Sequence, residues 1–140
     1  MQPESAAVIL FLAGGALQDL RKREISLLYM AFFAVPGLFM SLRCGRGAAD
    51  LLAAVLPGLL CVAWSVAGQG QIGCGDGLAA VVIGLYLGAA DVLEICLTGF
   101  VLASIPAGVL FLKNRRGRDT LPFLPFLCAG SILAAFSRIL

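Results

Sequence analysis

Six apolar runs, separated by short charged or glycine-rich connections, constrain this chain more than any other feature. They cover residues 5–18, 25–42, 48–66, 77–90, 92–112 and 121–140. A bilayer core of about 30 Å needs about 20 helical residues, and four of the runs are long enough. None shows the alternation of polar and apolar residues that marks a membrane strand. We therefore predict a single domain over residues 1–140, an all-α integral membrane protein with six transmembrane helices.

The composition indicates that lipid covers the surface of the folded chain. Hydrophobic residues make up 61% of the chain and charged residues 13%, whereas a soluble domain carries roughly 25% charged residues. The net charge of +2 provides no basic field for nucleic acid. We expect membrane lipids as partners and no nucleic acid, and the sequence indicates no particular oligomeric state.

The residue types limit the available chemistry. The chain has no histidine, which excludes histidine-based nucleophile triads and histidine metal ligands. Its five cysteines occur singly, without a CxxC pair, so neither a zinc site nor a disulfide framework is predicted. We expect no metal and no cofactor.

The basic residues predict an orientation. Seven lie in the two connections after runs one and five, on one side of the membrane: Arg21, Lys22, Arg23, Lys113, Arg115, Arg116 and Arg118. Three lie on the other side: Arg43, Arg46 and Arg138. The positive-inside rule makes the first side cytoplasmic, and both termini are then predicted outside. Arg43, Arg46 and Asp50 are expected to form a solvated outer rim.

Two aspartates stand out by position. Asp19 closes the first run and Asp76 opens the fourth, so counting the crossings places both on the same membrane face. Acids at a membrane boundary are energetically costly and usually functional. Structural alternatives are that Asp76 is a helix N-cap and that Asp19 pairs with the basic residues after it.

A pair of carboxylates can hydrolyse a peptide without histidine, serine or metal. Two neighbouring carboxylates do not both ionise easily, so one keeps its proton while the other is charged. The charged member draws a proton from water, and the protonated member donates a hydrogen bond to the scissile carbonyl. The pair titrates as a unit, so the sequence does not assign the proton.

Three motifs carry a resemblance to a known family. An aspartate, Asp19, is followed by a basic stretch and then Ile25; Gly73, Gly75 and Asp76 form a GxGD sequence; and a proline pair, Pro122 and Pro125, opens the last run. In this order across six spans, the motifs resemble those of type IV prepilin peptidases. GxGD alone is a weak signal, but the set covers nearly the whole chain.

The resemblance implies an aspartic endopeptidase of the bacterial or archaeal cell (inner) membrane. It implies a catalytic pair of Asp19 and Asp76, with Gly73 and Gly75 shaping the approach of substrate. The substrates implied are type IV pilin-like precursors, whose short basic leader is removed at the cytoplasmic face. The chain lacks the zinc-binding insertion of the bifunctional members, so no methyltransferase activity is expected.

The chain departs from the family pattern at two places. Gly77, Leu78 and Ala79 stand where many members have x-Lys-Leu after GxGD, and Ser26 and Leu27 replace the usual Pro-Asn. Two other functions stay open at this point. One is a small ion-coupled transporter or channel subunit in which the aspartates bind cations, and the other is a non-catalytic subunit of a secretion apparatus.

Overall fold

The described structure is helical throughout. A computed structural model describes residues 3–22, 25–68, 73–113 and 123–137, and within these ranges it contains no strand. Each predicted apolar run forms one helix: α1 (Pro3–Lys22), α2 (Leu27–Arg43), α3 (Ala48–Ala67), α4 (Cys74–Leu87), α5 (Ala89–Lys113) and α6 (Leu124–Ser137). The prediction of an all-α chain is therefore confirmed.

Helix α4 lies at the centre of the bundle. It packs against α1, α2, α3 and α5, and most of its residues are buried: Gly77, Ala79, Ala80, Val82, Ile83, Gly84, Leu85 and Tyr86. Helix α5 follows after Gly88, whose φ of 101° suits glycine and breaks the helical path. The position of α4 thus determines where the residues at its two ends lie.

Helices α3 and α4 approach each other closely because glycines line their contact. A methyl group on Gly58 would lie 2.5 Å from the backbone nitrogen of Val81, and one on Gly77 would lie 2.8 Å from the nitrogen of Val62. A methyl group on Gly84 would meet the carbonyl oxygen of Ala54. Small residues at such contacts allow two backbones to touch, as is common between membrane helices.

Two tyrosines connect helices through directional hydrogen bonds. Tyr29 on α2 donates to the carbonyl oxygen of Phe11 on α1 at 2.9 Å, and Tyr86 on α4 donates to the carbonyl oxygen of Phe33 on α2 at 2.9 Å. The rings of Phe11, Tyr29 and Phe33 also contact one another, with centroids 5.1–5.6 Å apart. Helix α2 is therefore held to α1 and to α4 by side chains that lie between them.

Two helices are long and apolar enough to cross a membrane. Helix α3 has 20 residues with a mean hydropathy of 1.9, and α5 has 25 residues with a mean hydropathy of 2.2. Only 17% and 11% of their apolar windows are buried, so both helices present apolar side chains outward. Helices α2, α4 and α6 are apolar but shorter. By length and composition, two of the described helices are therefore able to cross a membrane.

We predict that Gly58→Ala lowers the apparent Tm of the protein in detergent. Overpacking costs about 1–3 kcal/mol, which outweighs the gain of about 1 kcal/mol in helix propensity. Gly108→Ala on α5 is the matched control, because its added methyl group would meet no neighbouring helix within 4 Å in the described ranges. A Tm of Gly58→Ala equal to that of Gly108→Ala would contradict the close contact between α3 and α4.

Candidate active site

The two aspartates lie at the same end of the bundle, here called the aspartate end. Asp19 is three residues before the end of α1, and Asp76 is the third residue of α4. Ile25, which follows α1, lies against the start of α4: a methyl group on Gly75 would be 3.1 Å from its Cδ1 atom. The segment that follows Asp19 therefore passes beside the segment that carries Asp76.

The charge of Asp19 acts on Asp76. Burial first, and the negative charge of Asp19 second, together raise the pKa of Asp76 from its ordinary value of 3.8 to about 7. A like charge has this effect only at short range, because it makes ionisation of the second carboxyl unfavourable. Asp76 precedes the buried part of α4, which begins at Gly77, and so lies outside the apolar run.

The N-cap interpretation of Asp76 is wrong. Gly73 is the N-cap of α4 and, as a glycine, has no side chain to form a capping hydrogen bond. Asp76 occupies the third helical position, where the helix dipole favours a negative charge. The dipole lowers the pKa of a carboxyl group, yet the pKa of Asp76 is raised. Desolvation and the charge of Asp19 therefore outweigh the dipole at this site.

The carboxyl group of Asp76 is desolvated because the neighbouring helix α3 extends past it. Val62 on α3 lies beside Gly77, the residue after Asp76. Helix α3 continues from Val62 to Ala67, which adds about 7 Å at 1.5 Å per residue. Asp76 thus lies below the level at which the neighbouring helix ends.

Glycine at position 73 leaves space around the carboxylate of Asp76. A methyl group at Gly73 would lie 3.1 Å from Oδ2 of Asp76, tighter than ordinary contact. The backbone of Gly73, with φ −62° and ψ 123°, is open to any residue, so conformational freedom does not explain the glycine. Gly73 and Cys74 are both exposed, and the approach to Asp76 is open from this side.

The start of α6 reaches the same helix face as Asp19. Leu124 lies 2.7 Å from the position of a methyl group on Gly15 of α1. Gly15 and Asp19 are four residues apart and therefore share one face of α1. Each of the three motif segments thus has a described residue on or beside α1 and the segment that follows it: Asp19 on α1, Gly75 beside Ile25, and Leu124, between the two prolines, beside Gly15.

The residue two positions after Asp76 carries no positive charge. Many members of the family that the motifs resemble have lysine there. This position holds Leu78, which packs against the apolar core. No positive charge at this position opposes the shift in the pKa of Asp76. The departure seen in the sequence therefore leaves the aspartate in an apolar setting.

Several basic residues used to predict orientation fall outside the described ranges, as does the first proline of the third motif: Arg23, Arg115, Arg116, Arg118, Arg138 and Pro122. Arg21, Lys22 and Lys113 are described and exposed. In the described ranges, no three His, Cys, Asp or Glu side chains come together as a metal site would require.

Sequence reasoning misplaced Arg46. It was expected on a solvated outer rim, but its side chain is only 22% exposed and contacts α1 and α4. Arg43 is exposed and lies over the ring of Phe39, and Asp50 is also exposed. The contacts of Arg46 join residues about 40 positions apart in the chain, and no local pattern marks them.

No protein-family model, curated protein or solved structure matches this chain.

We predict that Asp76→Asn stabilises the protein in a pH-dependent way. The folded-state pKa of about 7 lies above the ordinary value of 3.8, so the folded state binds this proton more tightly than the unfolded state. Stability from this group is complete below about pH 4 and is lost as the pH rises through about 7. The apparent Tm of Asp76→Asn minus that of the parent should therefore increase between about pH 5 and about pH 8.

Asp50→Asn is the matched control for this measurement. Asp50 is also the third residue of its helix, after N-cap Gly47, but it is exposed. Thermal unfolding in detergent across the pH range measures both variants. A Tm difference for Asp76→Asn that stays constant with pH, or falls as the pH rises, would contradict the burial of this carboxyl group.

Proposed function

We propose that the chain is a membrane aspartic endopeptidase that removes the short basic leader from type IV pilin-like precursors. The observation that carries the proposal is that Asp19 and Asp76 lie at the same end of the bundle, where the charge of Asp19 acts on the partly buried Asp76. The resemblance of the three motifs supplies the substrate class. Asp19 and Asp76 act as the catalytic pair, while Gly73 and Gly75 shape the approach of substrate to Asp76.

The mechanism follows from a shared proton. One carboxylate is ionised and accepts a proton from water, and the oxygen of that water forms a bond to the scissile carbonyl carbon. The protonated carboxyl group donates a hydrogen bond to the carbonyl oxygen and stabilises its developing negative charge. The C–N bond then breaks, and the departing amine takes up a proton. A raised pKa at Asp76 favours one protonated carboxyl group near neutral pH.

A multi-pass membrane location is part of the proposal. The bundle exposes large apolar side chains on most helices, including Leu28 (83% exposed), Phe32 (72%) and Leu112 (84%). Soluble monomers rarely expose apolar patches beyond a few hundred Å², whereas lipid covers such a surface. All six helices then span the cell membrane of a bacterium or archaeon, with the aspartate end at the cytoplasmic face and both termini outside.

Short helices fit this arrangement where other helices surround them. Helix α4 has 14 residues, or about 21 Å, against a hydrocarbon core of about 30 Å. Because α4 lies inside the bundle, its ends need not reach the lipid headgroups. Its first turn then holds Asp76 at the boundary of the apolar run, where a water molecule and an extended peptide meet it.

The position of the acids favours a peptidase over a cation transporter. Transporters place their ion sites near the middle of the membrane, in interrupted helices. Asp19 and Asp76 lie instead at helix ends. A peptide in the aqueous phase reaches such a position from one side.

The first test is leader removal. The chain is co-expressed with a pilin-like precursor from its own genome, and the precursor is followed by gel shift. We expect cleavage by the parent and loss of about 10³-fold or more in rate for Asp19→Asn and for Asp76→Asn. Each variant keeps the side-chain shape but loses the ionisable carboxylate. Membrane abundance is measured for each, and Asp50→Asn is the control that should cleave like the parent.

Two outcomes would count against the proposal. If the parent cleaves none of the candidate precursors of its genome, a function in transport or in assembly is favoured instead. If the parent cleaves but one of the two single variants keeps full activity, the pair of carboxylates does not carry the chemistry.

A second test uses the space at Gly73. Gly73→Ala should lower kcat/KM by about tenfold or more, because misplacement by a fraction of an ångström weakens catalysis strongly. Stability should change little, since alanine adopts the backbone angles of this residue. The measurement is the rate of precursor cleavage in detergent together with the apparent Tm.

Gly47→Ala is the matched control for Gly73→Ala. Gly47 is also an N-cap three residues before an aspartate, and its added methyl group would lie 3.7 Å from Oδ2 of Asp50, an ordinary contact distance. Equal cleavage by Gly73→Ala and Gly47→Ala would rule out a role for the space beside Asp76.

A further inference from the structure

Arg46 joins three elements at the end of the bundle opposite the aspartates. Its Nη2 atom donates to the carbonyl oxygen of Tyr86 at 3.0 Å, and its Nη1 atom lies 3.4 Å from the carbonyl oxygen of Leu85. These carbonyls belong to the last turn of α4, where a helix leaves its carbonyls without helical partners. A cation is favourable at this position.

The same arginine reaches the first turn of α1. Its Nη2 atom lies 3.9 Å from Oε2 of Glu4, and the two side chains are only 22% and 18% exposed. The thiol of Cys44 also donates to Oε1 of Glu4 at 3.5 Å. The connection between α2 and α3 thus holds the beginning of α1 beside the end of α4.

These two helices are the ones that carry the aspartates at their other ends. Glu4 and Asp19 lie at the two ends of α1, about 22 Å apart along the helix axis. Leu85 and Asp76 are at opposite ends of α4. A change in the tilt or sliding of α1 against α4 at the Arg46 end therefore alters the separation of the carboxylates at the aspartate end.

Apolar packing alone does not define that separation well. Val8, Phe11 and Leu12 of α1 pack in one cluster with residues of α4, but apolar attraction is non-directional. Hydrogen bonds restrict angle as well as distance. The planar guanidinium group with its several donors is suited to fixing two helix ends at once.

We propose that Arg46 is a positioning residue for the aspartate pair, tying the far ends of α1 and α4 together so that Asp19 and Asp76 meet. This inference deepens the proposed function and rests on it for its consequence in catalysis. The geometric part concerns the separation of two side chains and can be measured without substrate.

The test is cross-linking in membranes. Asp19→Cys and Asp76→Cys are combined in a chain whose five native cysteines are replaced by alanine, and a short thiol-to-thiol cross-linker is applied. We expect rapid linkage with Arg46 present and a several-fold slower rate with Arg46→Gln. Arg43→Gln removes the same charge from the last residue of α2, three positions before Arg46, and Arg43 is exposed, so this control should link at the parent rate.

Milder variants guard against a loss of folding. Arg46→Lys keeps a positive charge beside Glu4. One ammonium group does not replace the two guanidinium hydrogen bonds to the carbonyl oxygens of α4, so an intermediate rate of cross-linking is expected. Glu4→Gln removes the ion pair alone and should also slow the linkage. The proposal is overturned if Arg46→Lys and Glu4→Gln both link at the parent rate and Arg46→Gln either links at the parent rate or does not accumulate in the membrane. Absence of linkage in every background, or equal slowing by Arg43→Gln, would overturn it as well.

The catalytic arm uses the full chain with its native cysteines and aspartates. Arg46→Gln should lower kcat by about ten- to a hundredfold, with KM little changed, and Arg46→Lys should restore part of the rate. A loss in KM alone would overturn the positioning role. If the parent cleaves no precursor while the linkage rate still depends on Arg46, the proposed function fails and the link between the two ends stands.

Discussion

The close contact between α3 and α4 is the constraint on which the rest of the structure depends. Gly58, Gly77 and Gly84 let the two backbones approach to a distance that no side chain would permit. Helix α4 consequently lies deep in the bundle, with α1, α2 and α5 packed around it. Because α4 is short and surrounded, its first turn lies below the end of α3. The partial burial of Asp76 follows from this arrangement.

The environment of Asp76, rather than its local sequence, makes it unusual. The chain contains a close local counterpart in Asp50, which also stands three residues after an N-cap glycine. Asp50 is exposed, whereas burial and the charge of Asp19 act together on Asp76. The same capping geometry therefore produces an ordinary surface acid in one place and a carboxyl group with a raised pKa in the other. A raised pKa at a partly buried acid marks a candidate functional site.

The contacts at the two ends of the bundle act on the same pair of helices. At the aspartate end, Ile25 lies against Gly75 and Leu124 against Gly15, so the starts of α4 and α6 gather near the end of α1. At the opposite end, Arg46 holds the first turn of α1 beside the last turn of α4. Between them, Tyr29 and Tyr86 connect α2 to its neighbours. Directional bonds thus supplement apolar packing, which by itself allows helices to slide.

The sequence by itself determined the helical class, the approximate extent of all six helices and the pairing of Asp19 with Asp76 at one end, because apolar runs and the parity of their crossings are local properties. It also singled out Gly73 and Gly75 as candidate site residues, because they lie just before Asp76 in the chain. It did not place Arg46, which looked like a solvated rim residue, nor did it show that Asp76 follows an N-cap rather than forming one. Those features were decided by tertiary structure, since they depend on which helix ends meet and how deeply each is buried. Distances between residues about 40 positions apart arise only when the chain packs.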